Sequence, residues 1–136
     1  MKPRPVPDDV TDFYWTAARR GELAVAACVP HGHLNFPPDI SCAVCGARDL
    51  EPRTVSGRGR VYSFTVVRQA FDTSFAPDVP YVIALVELDE QPGLTILTNL
   101  VDVDPESVAI GDRVRVTFED RDGERLPQFI LDRGAP

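Results

Sequence analysis

The spacing of apolar positions divides the chain into a short helical start, a middle with little pattern and a β-rich remainder. Val10, Phe13, Tyr14, Ala17 and Ala18 recur at helical spacing and predict a helix over residues 9–20. Asp8 or Asp9 suits its N-cap, Arg19 and Arg20 suit its C-terminal dipole, and Gly21 suits its stop. Trp15 falls off the apolar stripe, so it either packs elsewhere on the same chain or anchors a partner. Residues 1–7 are Pro-rich and predict an extended arm, and residues 22–54 show little periodicity. From residue 55 the pattern becomes β. Val61–Arg68, Tyr81–Leu88, Leu94–Val101, Arg113–Phe118 and Arg125–Leu131 read as strands, the last interrupted by Pro127. Gly93, Gly111–Asp112 and Asp122–Gly123 mark turns between them. Five strands without a long intervening helix suit a small barrel of OB type, with an SH3-like barrel as the competing expectation.

Composition sets the setting. Apolar residues are 43% of the chain and charged residues 26%, enough for one core beneath an ordinary polar surface. No apolar run approaches the roughly 18–20 residues of a membrane span. The opening MKPRPVPDDV has no signal-peptide stretch, so a cytoplasmic protein is expected. The formal net charge of −7 lowers the expectation of nucleic-acid binding, which calls for a basic face.

The patternless middle holds all the chemistry-bearing sulfur and imidazole. Cys28, Cys42 and Cys45 lie there with His31 and His33. An odd number of cysteines does not make a disulfide framework. Cys28-Val-Pro-His31 and Cys42-Ala-Val-Cys45 each close a tight turn that aims two side chains at one point, and each is followed by glycine. Two such turns complete the tetrahedron of structural Zn²⁺. The expected ligands are Cys28, His31, Cys42 and Cys45, with His33 able to stand in for His31 if the loop bends. Rubredoxin-type iron ordinarily takes four thiolates, and buried free cysteines are the bland alternative. The expected division is an arm and helix over 1–27, a zinc ribbon over 28–54 and an OB-fold domain over 55–136.

No catalytic set emerges. The only histidines and cysteines lie in the metal cluster, and the carboxylate pairs Asp102/Asp104 and Glu119/Asp120 lie beside turns. Ser56-Gly-Arg-Gly-Arg60 lacks the ending of a phosphate loop and precedes a strand. Between Glu51 and Asp72 stand Arg53, Arg58, Arg60 and Arg68 with no acidic residue, a local basic stretch that suits phosphate groups, an acidic partner or mere solubility. Phe71 and Phe75 lie in a predicted loop, where large rings meet either the barrel mouth or a partner.

Together these motifs carry a resemblance. Asp12-Phe-Tyr-Trp15, Gly21-Glu-Leu23, Cys28-x-x-His31-Gly32, Phe36-Pro-Pro38, Cys42-x-x-Cys45-Gly46, Ser56 to Thr65, Pro80-Tyr-Val82, Gly111-Asp-Arg-Val114 and Leu126-Pro-Gln-Phe129 follow one another as in the zinc-ribbon/OB-fold family known as domain of unknown function thirty-five. The likeness runs from about residue 10 to about residue 131. The family's pattern has two Cys-x-x-Cys pairs, and here His31 stands for one cysteine.

The resemblance implies a mainly β chain: an N-terminal helix, a rubredoxin-like zinc ribbon and a five-stranded OB-fold barrel. It implies a non-catalytic subunit of a thiolase-fold enzyme, a thiolase or retro-aldolase, acting on acyl-CoA thioesters, including steroid side-chain and aromatic substrates. It further implies a two-plus-two heterotetramer with CoA at the shared interface, to which Trp15, Arg58, Arg60, Phe71 and Phe75 are the candidate contacts. A single-strand nucleic-acid binder and an electron-transfer module are the readings from other classes, the first resting on Tyr62 and Phe64 beside Arg60 and Arg68.

Overall fold

The computed structural model describes residues 2–133. Its first element is the helix α1 (Asp12–Arg19). The helix starts later than the apolar spacing predicts because Asp8 organises a turn ahead of it. The Asp8 carboxylate accepts the N–H groups of Val10 and Thr11 at 3.0 and 2.8 Å, and the Asp8 carbonyl takes the Asp12 N–H at 2.8 Å. At the other end the Gly21 N–H reaches the Ala18 carbonyl at 2.9 Å and the Glu22 N–H reaches the Ala17 carbonyl at 3.0 Å. That pair of bonds is a Schellman stop, and it requires the positive φ of 77° at Gly21.

The chain then builds a three-stranded antiparallel sheet in the order β2-β1-β3, from β1 (Leu23–Cys28), β2 (Leu34–Asn35) and β3 (Leu50–Val55). Every residue of β1 is buried. This explains its silence in the sequence: Leu-Ala-Val-Ala-Ala-Cys is an unbroken apolar run with no alternation. Because β1 pairs with β3 from Leu23↔Val55 to Cys28↔Leu50, a boundary after residue 27 falls inside a strand.

The remaining strands are β4 (Arg58–Val67), β5 (Tyr81–Leu88), β6 (Thr95–Leu100), β7 (Arg113–Arg121) and β8 (Glu124–Leu131). They close a barrel in the order β4-β5-β6-β8-β7. Closure uses a parallel contact of β6 with β8 at Leu100↔Phe129 and an antiparallel contact of β4 with β7 at Gly59↔Val114. This is the OB barrel, which leaves no long free strand edge. β7 and β8 meet at Asp122-Gly123, both at positive φ (50° and 90°), as a two-residue primed turn demands. Pro127 does not interrupt β8, which pairs with β7 along its whole length.

Two contacts make ribbon and barrel one body. Leu23, Val25, Ala27 and Val55 of the ribbon share a single apolar core with Val61, Val86, Ile96, Val114 and Phe129 of the barrel. Gln91, in the β5–β6 turn, accepts the Leu34 N–H and donates to the Leu34 carbonyl, both at 2.9 Å, so its amide acts as a strand partner for β2. The helix is locked to β8 by Arg19, whose guanidinium donates to Glu124 Oε1 at 2.6 and 3.2 Å.

Barrel closure at β4 depends on a missing side chain. A Cβ on Gly59 would stand 2.4 Å from the Glu87 carbonyl oxygen and 2.9 Å from Val86 Cγ1. Gly59→Ala is expected to destabilise the protein by about 1–3 kcal/mol through overpacking, seen as a melting temperature several degrees lower. An unchanged melting temperature contradicts this account.

Candidate metal centre

Two knuckles converge on one point. In the first, the Gly32 N–H donates to the Cys28 carbonyl at 2.7 Å; in the second, the Gly46 N–H donates to the Cys42 carbonyl at 2.9 Å. Both glycines have φ near +75° (73° and 76°), which turns the backbone sharply behind the thiols. Each knuckle is closed by a return bond, Cys28 N–H to the His33 carbonyl at 2.9 Å and Cys42 N–H to the Ala47 carbonyl at 2.8 Å.

The gathered side chains are Cys28, His33, Cys42 and Cys45, with all ligand atoms within 4.8 Å of one another. His33 Nδ1 lies 3.6 Å from Cys28 Sγ and 3.8 Å from Cys42 Sγ, and Cys45 Sγ lies 4.0 Å from Cys28 Sγ. A zinc ion with Zn–S of about 2.3 Å and Zn–N of about 2.0–2.1 Å sets tetrahedron edges of about 3.5–3.8 Å, so the donor set fits. These four residues form a closed, structural type of zinc site, and the three cysteines form no disulfide.

His31, expected as the fourth ligand, is outside this group, and the ring gathered with the thiols is that of His33, the alternative that the spacing left open. An imidazole nitrogen stands farther from its backbone than a cysteine sulfur does. The ring of His33, two residues later and just ahead of β2, points Nδ1 back to the thiols. His31 is exposed, and its ring stacks on that of His33 with centroids 5.4 Å apart.

Hydrogen-bond donors favour the thiolate at Cys42. Burial pushes the Cys42 thiol up, but bonds from the Cys45 N–H, Asn35, the Val44 N–H and His33 outweigh it and bring the value to about 6. Asn35 is a residue that spacing did not single out. Buried at 6% exposure, it accepts the Ala43 N–H at 2.8 Å and donates to the Ala26 and His33 carbonyls at 3.4 and 3.3 Å. It thus ties the second knuckle to the first. The hint in the sequence was a lone amide in an apolar-flanked strand between the two motifs.

The other singled-out residues scatter. Trp15 is half-buried, packed on the core and edge-on to Tyr14 at 4.8 Å. Phe75 is also half-buried, 6.3 Å from Tyr81 and beneath the Lys2 ammonium. It lines a cleft of about 340 Å³ with Tyr81, Asn99, Glu119, Arg121 and Gln128. Phe71 alone of the three is free, at 91% exposure. The basic stretch is not isolated in space: Arg53 pairs with Glu51, Arg58 with Asp132, Arg60 with Glu87 and Arg68 with Glu106, at 3.4, 3.7, 2.8 and 2.9 Å. Glu87 is held below the usual carboxylate range, first by the Gly93 N–H and then by Arg60. The carboxylates near the turns have structural partners too. Asp104 accepts the Glu106 N–H, Glu119 pairs with Arg121, and Asp120 pairs with Arg125.

Comparison with known proteins places these features in context. Residues 15–51 match the family model described as the ChsH2 rubredoxin-like zinc ribbon domain, and residues 52–119 match the ChsH2 C-terminal OB-fold domain. A DUF35 domain-containing scaffold protein of Methanothermobacter thermautotrophicus is 38% identical over 101 residues, 74% of each chain. A probable enoyl-CoA hydratase alpha subunit of Thermomonospora curvata is 35% identical over 130 residues. The match takes in 95% of this chain but only 40% of that subunit. Among solved structures, a chain of the Ltp2-ChsH2(DUF35) aldolase superposes with a TM-score of 0.83 at 32% identity, covering 94% of this chain and 98% of that one. A DUF35-family protein from Sulfolobus solfataricus shares the fold, with a TM-score of 0.63 at 14% identity.

Purified protein is expected to carry one zinc per chain, and Cys42→Ser to lose it, by elemental analysis. Asn35→Ala, which removes an outer-shell support, is expected to weaken zinc about ten- to hundredfold in chelator competition. Full affinity in that variant means that Asn35 does not position the site.

Proposed function

The chain belongs to the ChsH2/DUF35 zinc-ribbon and OB-fold family, and from that premise we propose that it is a non-catalytic subunit of an acyl-CoA enzyme. The observation that carries this reading is its superposition, nearly end to end, on a chain of an aldolase assembly. Relatives named as a scaffold protein and as an enoyl-CoA hydratase subunit support it. The chemistry of the site agrees with an accessory role. Its three thiols and the His33 ring form a group that could hold a structural zinc, and residues so held would have no nucleophile–base function.

The partner in this proposal is a thiolase-fold chain that holds the catalytic groups and acts on CoA thioesters, with two copies of each chain in the complex. Reduced thiols at a zinc site suit the cytoplasm. The zinc ribbon and OB barrel supply a rigid wall, and the acyl-CoA channel forms where that wall meets the enzyme. Phe71 is the anchor: a fully exposed ring gains its full burial only from a second protein. Phe75 contributes through the cleft that it lines. Arg58 and Arg60 remain exposed, but a CoA phosphate would have to compete with Asp132 and Glu87 for them. They are secondary in this reading.

The test is affinity capture from the native host, identification of the bound chain and reconstitution with it. Turnover of an acyl-CoA is expected from the complex and not from this chain alone. Turnover by the isolated chain, abolished by one of its own point mutations, overturns the accessory role. Phe71→Ala is expected to lose assembly at an unchanged melting temperature. Trp15→Ala is expected to cost about 1–3 kcal/mol of stability, because its ring packs on the core. The reverse pattern would reassign the two rings.

A further inference from the structure

The two knuckles are near copies of each other, and the first offers one imidazole too many. The bond from Gly32 N–H to the Cys28 carbonyl repeats that from Gly46 N–H to the Cys42 carbonyl. The return bond to the His33 carbonyl repeats the one to the Ala47 carbonyl. Under this correspondence His31 takes the position of Cys45, a member of the ligand group, whereas His33 takes the position of Ala47, which has no ligand atom. The backbone thus places His31 where the second knuckle places a ligand, while the side chain of His33 fills the site. The two rings stack at 5.4 Å and 26°. His31 lies on the exposed side, and no protein hydrogen bond holds its ring among the described residues.

We infer that His31 and His33 share one coordination position, so that His31 is an exchangeable second imidazole for the zinc. The main chain of the knuckle already has the turn that a ligand at position 31 requires. Exchange then needs only rotation of two neighbouring side chains. A tethered spare ligand is present at high effective concentration, so it recaptures the ion before a chelator or water completes its removal. The site keeps three thiolates and one imidazole in either arrangement.

The experiment uses the full chain loaded with Zn²⁺, with His31→Ala, His33→Ala and the double variant. The readouts are zinc per chain, the imidazole signature in X-ray absorption at the zinc edge, and the rate of zinc loss to excess chelator. Both single variants are expected to keep one zinc and the imidazole signature. The double variant is expected to lose the signature. His31→Ala is expected to release zinc several-fold faster than the parent. If His33→Ala fails to fold, binds no zinc or binds it without an imidazole while His31→Ala is normal, the exchange is overturned. If His31→Ala alone loses the metal, His31 is the permanent ligand and the exchange is equally overturned. None of these readouts depends on a partner enzyme, so the outcome is independent of the accessory-subunit reading.

Discussion

The fold of the ribbon rests on the convergence of four donors. Between residues 29 and 49 only Leu34, Asn35 and Cys42 are buried. Three side chains cannot supply a hydrophobic core for a segment of that length, and exposed Val29, Ile40 and Val44 show that its apolar groups are not pulled inward. Metal coordination replaces the core. It fixes the knuckle turns, and the turns in turn set where β2 leaves and where β3 begins. Asn35 extends the same constraint by hydrogen-bonding across from one knuckle to the other.

From that anchor the structure becomes continuous with the barrel. β1 runs from the first ligand back to α1, buried throughout, and carries the metal-fixed geometry into the shared apolar core. Gln91 repeats the coupling on the far side by pairing with the backbone of Leu34. The ribbon is therefore not a flexible appendage. It presents a fixed surface beside the loops of the barrel.

The surface electrostatics follow the same economy. An acidic chain with a run of arginines looks asymmetric when written out, yet folding gives Arg58, Arg60 and Arg68 carboxylates from distant parts of the chain, and Arg53 meets Glu51 on its own strand. Exposed pairs of this kind add little stability. Each arginine of the stretch is thus matched by a neighbouring carboxylate.

The sequence by itself determined what is local or repetitive. The five barrel strands were legible in runs of β-branched, aromatic and apolar residues, with alternation in Arg113–Phe118, the turns in Gly and Asp, and the zinc chemistry in two spaced motifs, because each depends on neighbours a few residues apart. The family likeness was legible for the same reason, as a fixed order of such motifs. Tertiary structure decided everything that depends on reach. It chose His33 over His31, since spacing counts residues while coordination depends on where a ring nitrogen ends in space. It revealed β1 as a strand, because a run buried on both faces has no period to read. It packed Trp15 on the core and left Phe71 in solvent, although both are large rings outside an apolar stripe. It also neutralised the basic stretch, because Asp132, Glu87 and Glu106 lie far along the chain from the arginines that they meet.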